Sequence, residues 1–256
     1  MQRYCFLLFA SICALPASPA AVCNPKAFHG AYGFSLTGNT TIGSSVRPVA
    51  VVGRLVLDDS GMLSGIASAS FMGLVFGNDV TGKYEAHADC SVTWSLQDDS
   101  GNFQHFSGTM STDGRRAAFR QTDPGGADDG TLLRTIDGCS DANLAGVLKL
   151  VVTGRTVDVD TGTDSGKISF QDLLIADGAG NLSFDEGADE PSPTAGTYNV
   201  GDDCFVELVL KLRADAKEMA PLHFRAIVVE NGSEVQGIET DPGTVVALRL
   251  VAKTAD

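Results

Sequence analysis

The chain repeats itself, and that limits what it can fold into more than any other feature of the sequence. Gly82-Lys83-Tyr84 leads to Asp89-Cys90, and 114 positions later Gly196-Thr197-Tyr198 leads to Asp203-Cys204. His105-Phe106 and Thr122-Asp123-Pro124-Gly125 return as His223-Phe224 and Thr240-Asp241-Pro242-Gly243, both at an offset of 118. Matches in one order at nearly one offset mark a tandem duplication. In a chain of 256 residues they imply two units of about 110 residues, each long enough to bury its own core.

Before the first copy stands a single basic residue, Arg3, then an apolar run from Tyr4 to Leu15, then Pro16 and the small residues Ser18 and Ala20. This is the pattern of a secretory signal peptide over residues 1–20, which leaves a first repeat over 21–137 and a second over 138–256. The mature chain is then expected to be secreted or periplasmic. Acylation of Cys23 is the rival reading, but Val22 is bulky where a small residue is usual. No later run approaches the ~20 apolar residues of a membrane helix, so no transmembrane segment is expected.

Loss of the leader leaves 17 Lys and Arg against 32 Asp and Glu, a balance that argues against a nucleic-acid partner. Four cysteines remain. Cys23 precedes Gly30 by seven residues and Cys139 precedes Gly146 by seven, so the duplication predicts the pairs Cys23–Cys90 and Cys139–Cys204. Export makes those bonds available.

Copy one reads as about eight short strands, over 31–37, 46–57, 62–70, 74 or 80 to 88, 90–96, 103–110, 115–121 and 131–136. Copy two reads the same way over 144–153, 167–176, 181–184, 196–200, 204–212, 222–230, 235–239 and 245–251. Asp58-Asp59-Ser60-Gly61, Asp98-Asp99-Ser100-Gly101, Asp177-Gly178-Ala179-Gly180 and Asn231-Gly232 supply the turns. One short helix is entertained near Ala214 to Ala220. The fold class is therefore all-β, as two tandem antiparallel meander barrels, with a β-sandwich as the alternative. The boundary falls between Ile136 and Asp141, and the acidic Asp185 to Ala195 reads as a solvated loop.

Few residues in this pattern point to chemistry. His105 and His223 sit beside phenylalanines, on the opposite strand face; the phenylalanines are expected to fill the lumen and leave the histidines on the surface, and only phenylalanines packed outside would turn the histidines inward. Tyr84 and Tyr198 stand beside the half-cystine strands and could bond a lumenal ligand, or simply belong to the core. Thr-Asp-Pro-Gly has the chemistry of a tight turn, which is the reading for Asp123 and Asp241. Asp158, Asp160 and Asp164, with Thr161 and Gly166, resemble half a calcium loop but lack its closing glutamate, so an acidic hairpin loop is expected and no metal. Phe71 to Phe76 reads as a hydrophobic lip at a barrel mouth or as a fourth strand. No cofactor and no catalytic signature is evident.

His29-Gly30-Ala31-Tyr32-Gly33-Phe34, Asp58 to Gly65, Gly-x-Tyr-x4-Asp-Cys and Thr-Asp-Pro-Gly together resemble a family of exported bacterial proteins of unassigned function, met twice over in this chain. Copy two departs from that pattern at Ala145 to Leu148. The strand count is more distantly similar to lipocalin-like and to allene oxide cyclase or dirigent barrels, a fold-level likeness that transfers no catalytic residue. The expected function is that of an exported, non-enzymatic protein binding a small apolar ligand in a barrel lumen, with Tyr84, His105, Tyr198 and His223 as candidate ligand contacts. The alternatives are a cyclase-like enzyme, in which His105, Tyr84 and Glu85 would converge on an apolar substrate, and an envelope or surface interaction module using Phe71 to Phe76.

Overall fold

Short strands with one apolar face and a Gly-bearing turn at each end can bury that face and leave no open edge by rolling the sheet until its first and last strands pair. The computed structural model, which describes residues 22–185, 194–211, 213–214, 217–218 and 220–253, does this twice. The leader expected over 1–20 and most of the acidic loop expected over 185–195 lie outside the described residues.

Barrel one runs through β1 (Gly30–Ile42), β2 (Ser45–Leu57), β3 (Met62–Phe71), β4 (Leu74–Ala86), β5 (Ser91–Asp98), β6 (Phe103–Met110), β7 (Arg116–Gln121) and β8 (Asp129–Arg134). Each strand pairs antiparallel with the next, and β1 pairs with β8 from Tyr32↔Arg134 to Thr37↔Asp129, which closes the ring. Barrel two uses β9 (Gly146–Val157), β10 (Asp164–Ala176), β11 (Asn181–Phe184), β12 (Thr194–Val200) and β13 (Phe205–Leu210). A two-residue ribbon, β14 (Arg213–Ala214) with β15 (Lys217–Glu218), then leads to β16 (Leu222–Val229), β17 (Glu234–Glu239) and β18 (Thr244–Ala252), and β18 closes on β9.

That ribbon corrects the helix entertained near Ala214 to Ala220. Arg213 pairs with Glu218 and Ala214 with Lys217, so these described residues lie in an extended antiparallel ribbon between β13 and β16. Seven residues are too few to nucleate a helix unaided, and the flanking strands already hold the chain in an antiparallel path.

The repeated glycine of Gly-x-Tyr has one physical cause in both copies. A Cβ on Gly82 would collide with the carbonyl oxygen of Ser95, and one on Gly196 with that of Val209. The repeated cysteine also serves twice: Cys90 and Cys204 take φ of 70° and 69°, the left-handed position that ends each strand-to-strand turn. Their partners are Cys23 and Cys139, as the duplication requires. With its sulfur in a disulfide, Cys23 has no thiol to acylate.

Asp-x-x-Gly turns recur for one reason. The Oδ1 of Asp58 accepts from the backbone of Ser60 and Met62, that of Asp98 from Ser100 and Asn102, and that of Asp177 from Ala179 and Asn181.

The barrels pack side by side. Ala50, Val52 and Leu133 point outward from barrel one into the apolar cluster of barrel two. Around them Gly243 N–H donates to the Gly73 carbonyl (2.9 Å), Ser70 Oγ to the Thr244 carbonyl (2.9 Å), and Arg116 pairs with Glu230 (2.6 Å).

Candidate functional site

The two lumens are filled by side chains of different kinds. In barrel one, alternation brings Phe34, Trp94, Phe106 and Phe119 inward, with Phe34 and Phe119 stacked at 5.3 Å and the Trp94 ring edge-on to Phe119 at 4.7 Å. Barrel two is aliphatic, with Leu148, Leu150, Leu208, Leu248 and Leu250 around Phe224. An eight-stranded barrel is just wide enough for such packing.

Barrel one is lopsided, and there the filling stops short. Strands β1, β2 and β4 have 13 residues each, whereas β5 and β6 have eight and β7 and β8 six. The long hairpins overhang as a wall. At its foot lies a cup of about 80 Å³ floored by Phe34 and Leu96, walled by Val51 and Ala69, and rimmed by the polar residues Asn78, Asp98, Asn102 and Gln104. Above it Leu74 (45%) and Phe76 (49%), paired with Phe71 and Ala69 and so on the inward side, remain exposed, as does Ile42 (54%). Phe71 to Phe76 is thus the tip of the β3–β4 hairpin and the start of β4, and it carries exposed apolar side chains at the mouth.

The structure does not bring the four candidate ligand contacts together. Tyr84 and Tyr198 point inward at the disulfide end, where their hydroxyls are engaged by turn backbone. Tyr84 Oη donates to the Asp58 carbonyl (2.5 Å), while Tyr198 Oη accepts from Gly178 N–H (2.9 Å) and donates to the Asp141 carbonyl (3.3 Å). His105 and His223 stand half-exposed on the outer faces, opposite their buried phenylalanines. In each case the backbone N–H and ring Nδ1 of the histidine meet both oxygens of the turn aspartate: Asp123 at 2.7 and 2.7 Å, Asp241 at 2.7 and 2.9 Å. These pairs clasp the Thr-Asp-Pro-Gly turn to the neighbouring strand. His105 and Glu85 line one open trough of about 500 Å³ across the outside of β4, β5 and β6.

Asp158, Asp160 and Asp164 do not converge on an ion site. Asp158 Oδ1 accepts from the backbone of Asp160 and Thr161, and Asp164 pairs with Arg155 across the hairpin. No group of three or more candidate metal ligands occurs among the described residues.

Three carboxyls that the sequence reading did not single out are buried among the described residues; Glu234 is paired with Arg249 (2.7 Å), and the other two have no ion pair there. Asp128, 3% exposed, has an Oδ1 with no hydrogen-bond partner among the described residues, and burial pushes its pKa up to about 6. Glu239, 2% exposed, pairs with Phe224 and so faces into barrel two; burial, with the Asp241 charge nearby, pushes it up to about 7. The alternation Val235, Gly237, Glu239 was the signal that could have placed the latter inside.

Neither a protein-family model nor any curated protein matches this chain. Among solved structures, it is similar to a protein provisionally called an outer membrane protein of Bacteroides fragilis, at 11% identity over 90% of this chain and 100% of that one, with a TM-score of 0.23. A second, provisionally called AttH, from Nitrosomonas europaea, is 10% identical over 94% of this chain and 100% of that one, with a TM-score of 0.25. Likenesses at that level carry no argument about function.

Proposed function

We propose that this chain is an exported, non-enzymatic binding protein whose barrel-one mouth takes the end of a small apolar ligand. The observation that supports it is the set of inward-side apolar residues left in solvent on the overhang: Ile42, Leu74 and Phe76. Below them the lumen is packed, so the ligand rests in the cup and against the wall rather than inside the barrel. The cup, at about 80 Å³, is well under the ~300 Å³ at which pockets for whole small molecules begin, and so suits a chain end. Export rests on the leader-like residues 1–20, and two disulfides are compatible with an extracytoplasmic protein.

The cyclase-like alternative loses the groups it needs, since the Tyr84 hydroxyl is bonded to Asp58 and His105 lies on the outer face. The test is to incubate the mature chain with an organic extract of membranes and to identify by mass spectrometry what it retains. Wild type is expected to hold apolar molecules and the Phe76→Asp variant to lose them. Retention of nothing by wild type, or equal retention by the variant, overturns the reading.

A further inference from the structure

A second concavity lies outside both lumens, where the barrels meet. It has a volume of about 390 Å³ and is lined by Arg54, Ile66 and Asp79 of barrel one and by Asp203 and Phe205 of barrel two. That is within the range of small-molecule sites, which favour such junctions.

The register of barrel one explains its chemistry. Arg54 is directly opposite Ile66, and Ile66 directly opposite Asp79, so the three form a row across β2, β3 and β4 on the outward face. Strand spacing of about 4.8 Å sets the two ends of the row about 10 Å apart at Cα. An isoleucine, 42% exposed, thus separates a cation from an anion. Neither end has an ion pair among the described residues. Arg54 Nε is buried with no hydrogen-bond partner among the described residues, so at that atom the guanidinium has no protein acceptor.

Barrel two completes the site. Asp203, its Oδ1 held by the Phe205 N–H at 3.1 Å, adds a second carboxylate, and the Phe205 ring, backed by the Arg225 guanidinium at 4.5 Å, adds an apolar edge.

We propose that this inter-barrel cleft binds a short zwitterion with an apolar side chain, an amino acid or a di- or tripeptide. Its carboxylate meets Arg54, its ammonium meets Asp79 and Asp203, and its side chain lies over Ile66 and Phe205. One cation against two anions rejects plain fatty anions. The site is independent of the barrel-one mouth, because it lies on the opposite face of the sheet.

Calorimetric titration of the full mature chain tests this with leucine, leucyl-leucine and leucyl-leucyl-leucine, and with leucyl-leucine capped as its N-acetyl or its amide form. At least one free zwitterion is expected to bind, and each cap to weaken binding by about tenfold or more. Arg54→Gln is expected to abolish the penalty of the amide cap, and Asp79→Asn to reduce that of the acetyl cap. Both variants should keep the wild-type melting temperature, and Phe76→Asp should keep wild-type zwitterion affinity. Absence of any binding up to ~10 mM, or capped probes binding as well as free ones, overturns the proposal without reference to the variants.

Discussion

Single side chains in this protein set its response to pH. Glu239 titrates near 4.5 in an unfolded chain and at about 7 in the barrel, so the native state holds the proton more tightly. The stability this provides is fully present below about pH 4.5 and is lost as pH rises through 7, an effect on the order of 3 kcal/mol. Urea unfolding of Glu239→Gln should therefore show a fall in stability between pH 4.5 and 8 that is smaller by about that amount; an unchanged profile would place the carboxyl in water. Asp123 works in the opposite sense. Burial acts to raise its pKa, but hydrogen bonds from the His105 backbone and ring and from Gln121 outweigh it, and the net shift is downward. Its clasp contributes above the ordinary aspartate range and is lost as pH falls through the lowered value. Gly82 belongs to the same scale: Gly82→Ala drives a methyl into the Ser95 carbonyl, and a loss of about 3 kcal/mol or more is expected by denaturant titration.

At the scale of elements, each barrel is tied at one end by its disulfide and by a tyrosine hydroxyl bonded to a turn. The sulfur links close chain segments of 67 and 65 residues, worth about 4 kcal/mol each by chain entropy. Replacing Cys139 and Cys204 together by serine should lower stability by roughly 2–5 kcal/mol, with barrel two unfolding first in calorimetry. Strand positions were legible almost throughout, because alternation and Asp-Gly turns are local: the expected strand at 103–110 is the observed β6. The ribbon at Arg213–Ala214 and Lys217–Glu218 was not legible, since an Ala- and Lys-bearing stretch has helical propensity and only the pairing of β13 with β16 overrides it. The overhang of β1 to β4 was equally hidden, because β-branched and small residues in 37–50 and 69–78 suit a wall, a strand or a loop alike.

For the whole molecule, the decisive surface is the one between the barrels. Val52, fully buried although it points away from its own lumen, sits in the cluster of barrel two. Val52→Asp places an unpaired charge there, and small-angle scattering should report an increased radius of gyration with two separate unfolding transitions. A single transition at wild-type dimensions would mean that the barrels are held by the linker and polar contacts alone.

By itself the sequence determined that there are two copies, that each is a sheet of short strands, and which cysteine joins which. Those properties follow from local alternation, turn chemistry and an internal offset, all readable along one dimension. Only the tertiary structure decided that aromatic side chains fill lumen one, that His105 and His223 stand outside, and that Arg54, Ile66 and Asp79 form one row. Residues separated by 12 and 13 positions become neighbours through strand register, and a cleft between two barrels exists only once they have docked.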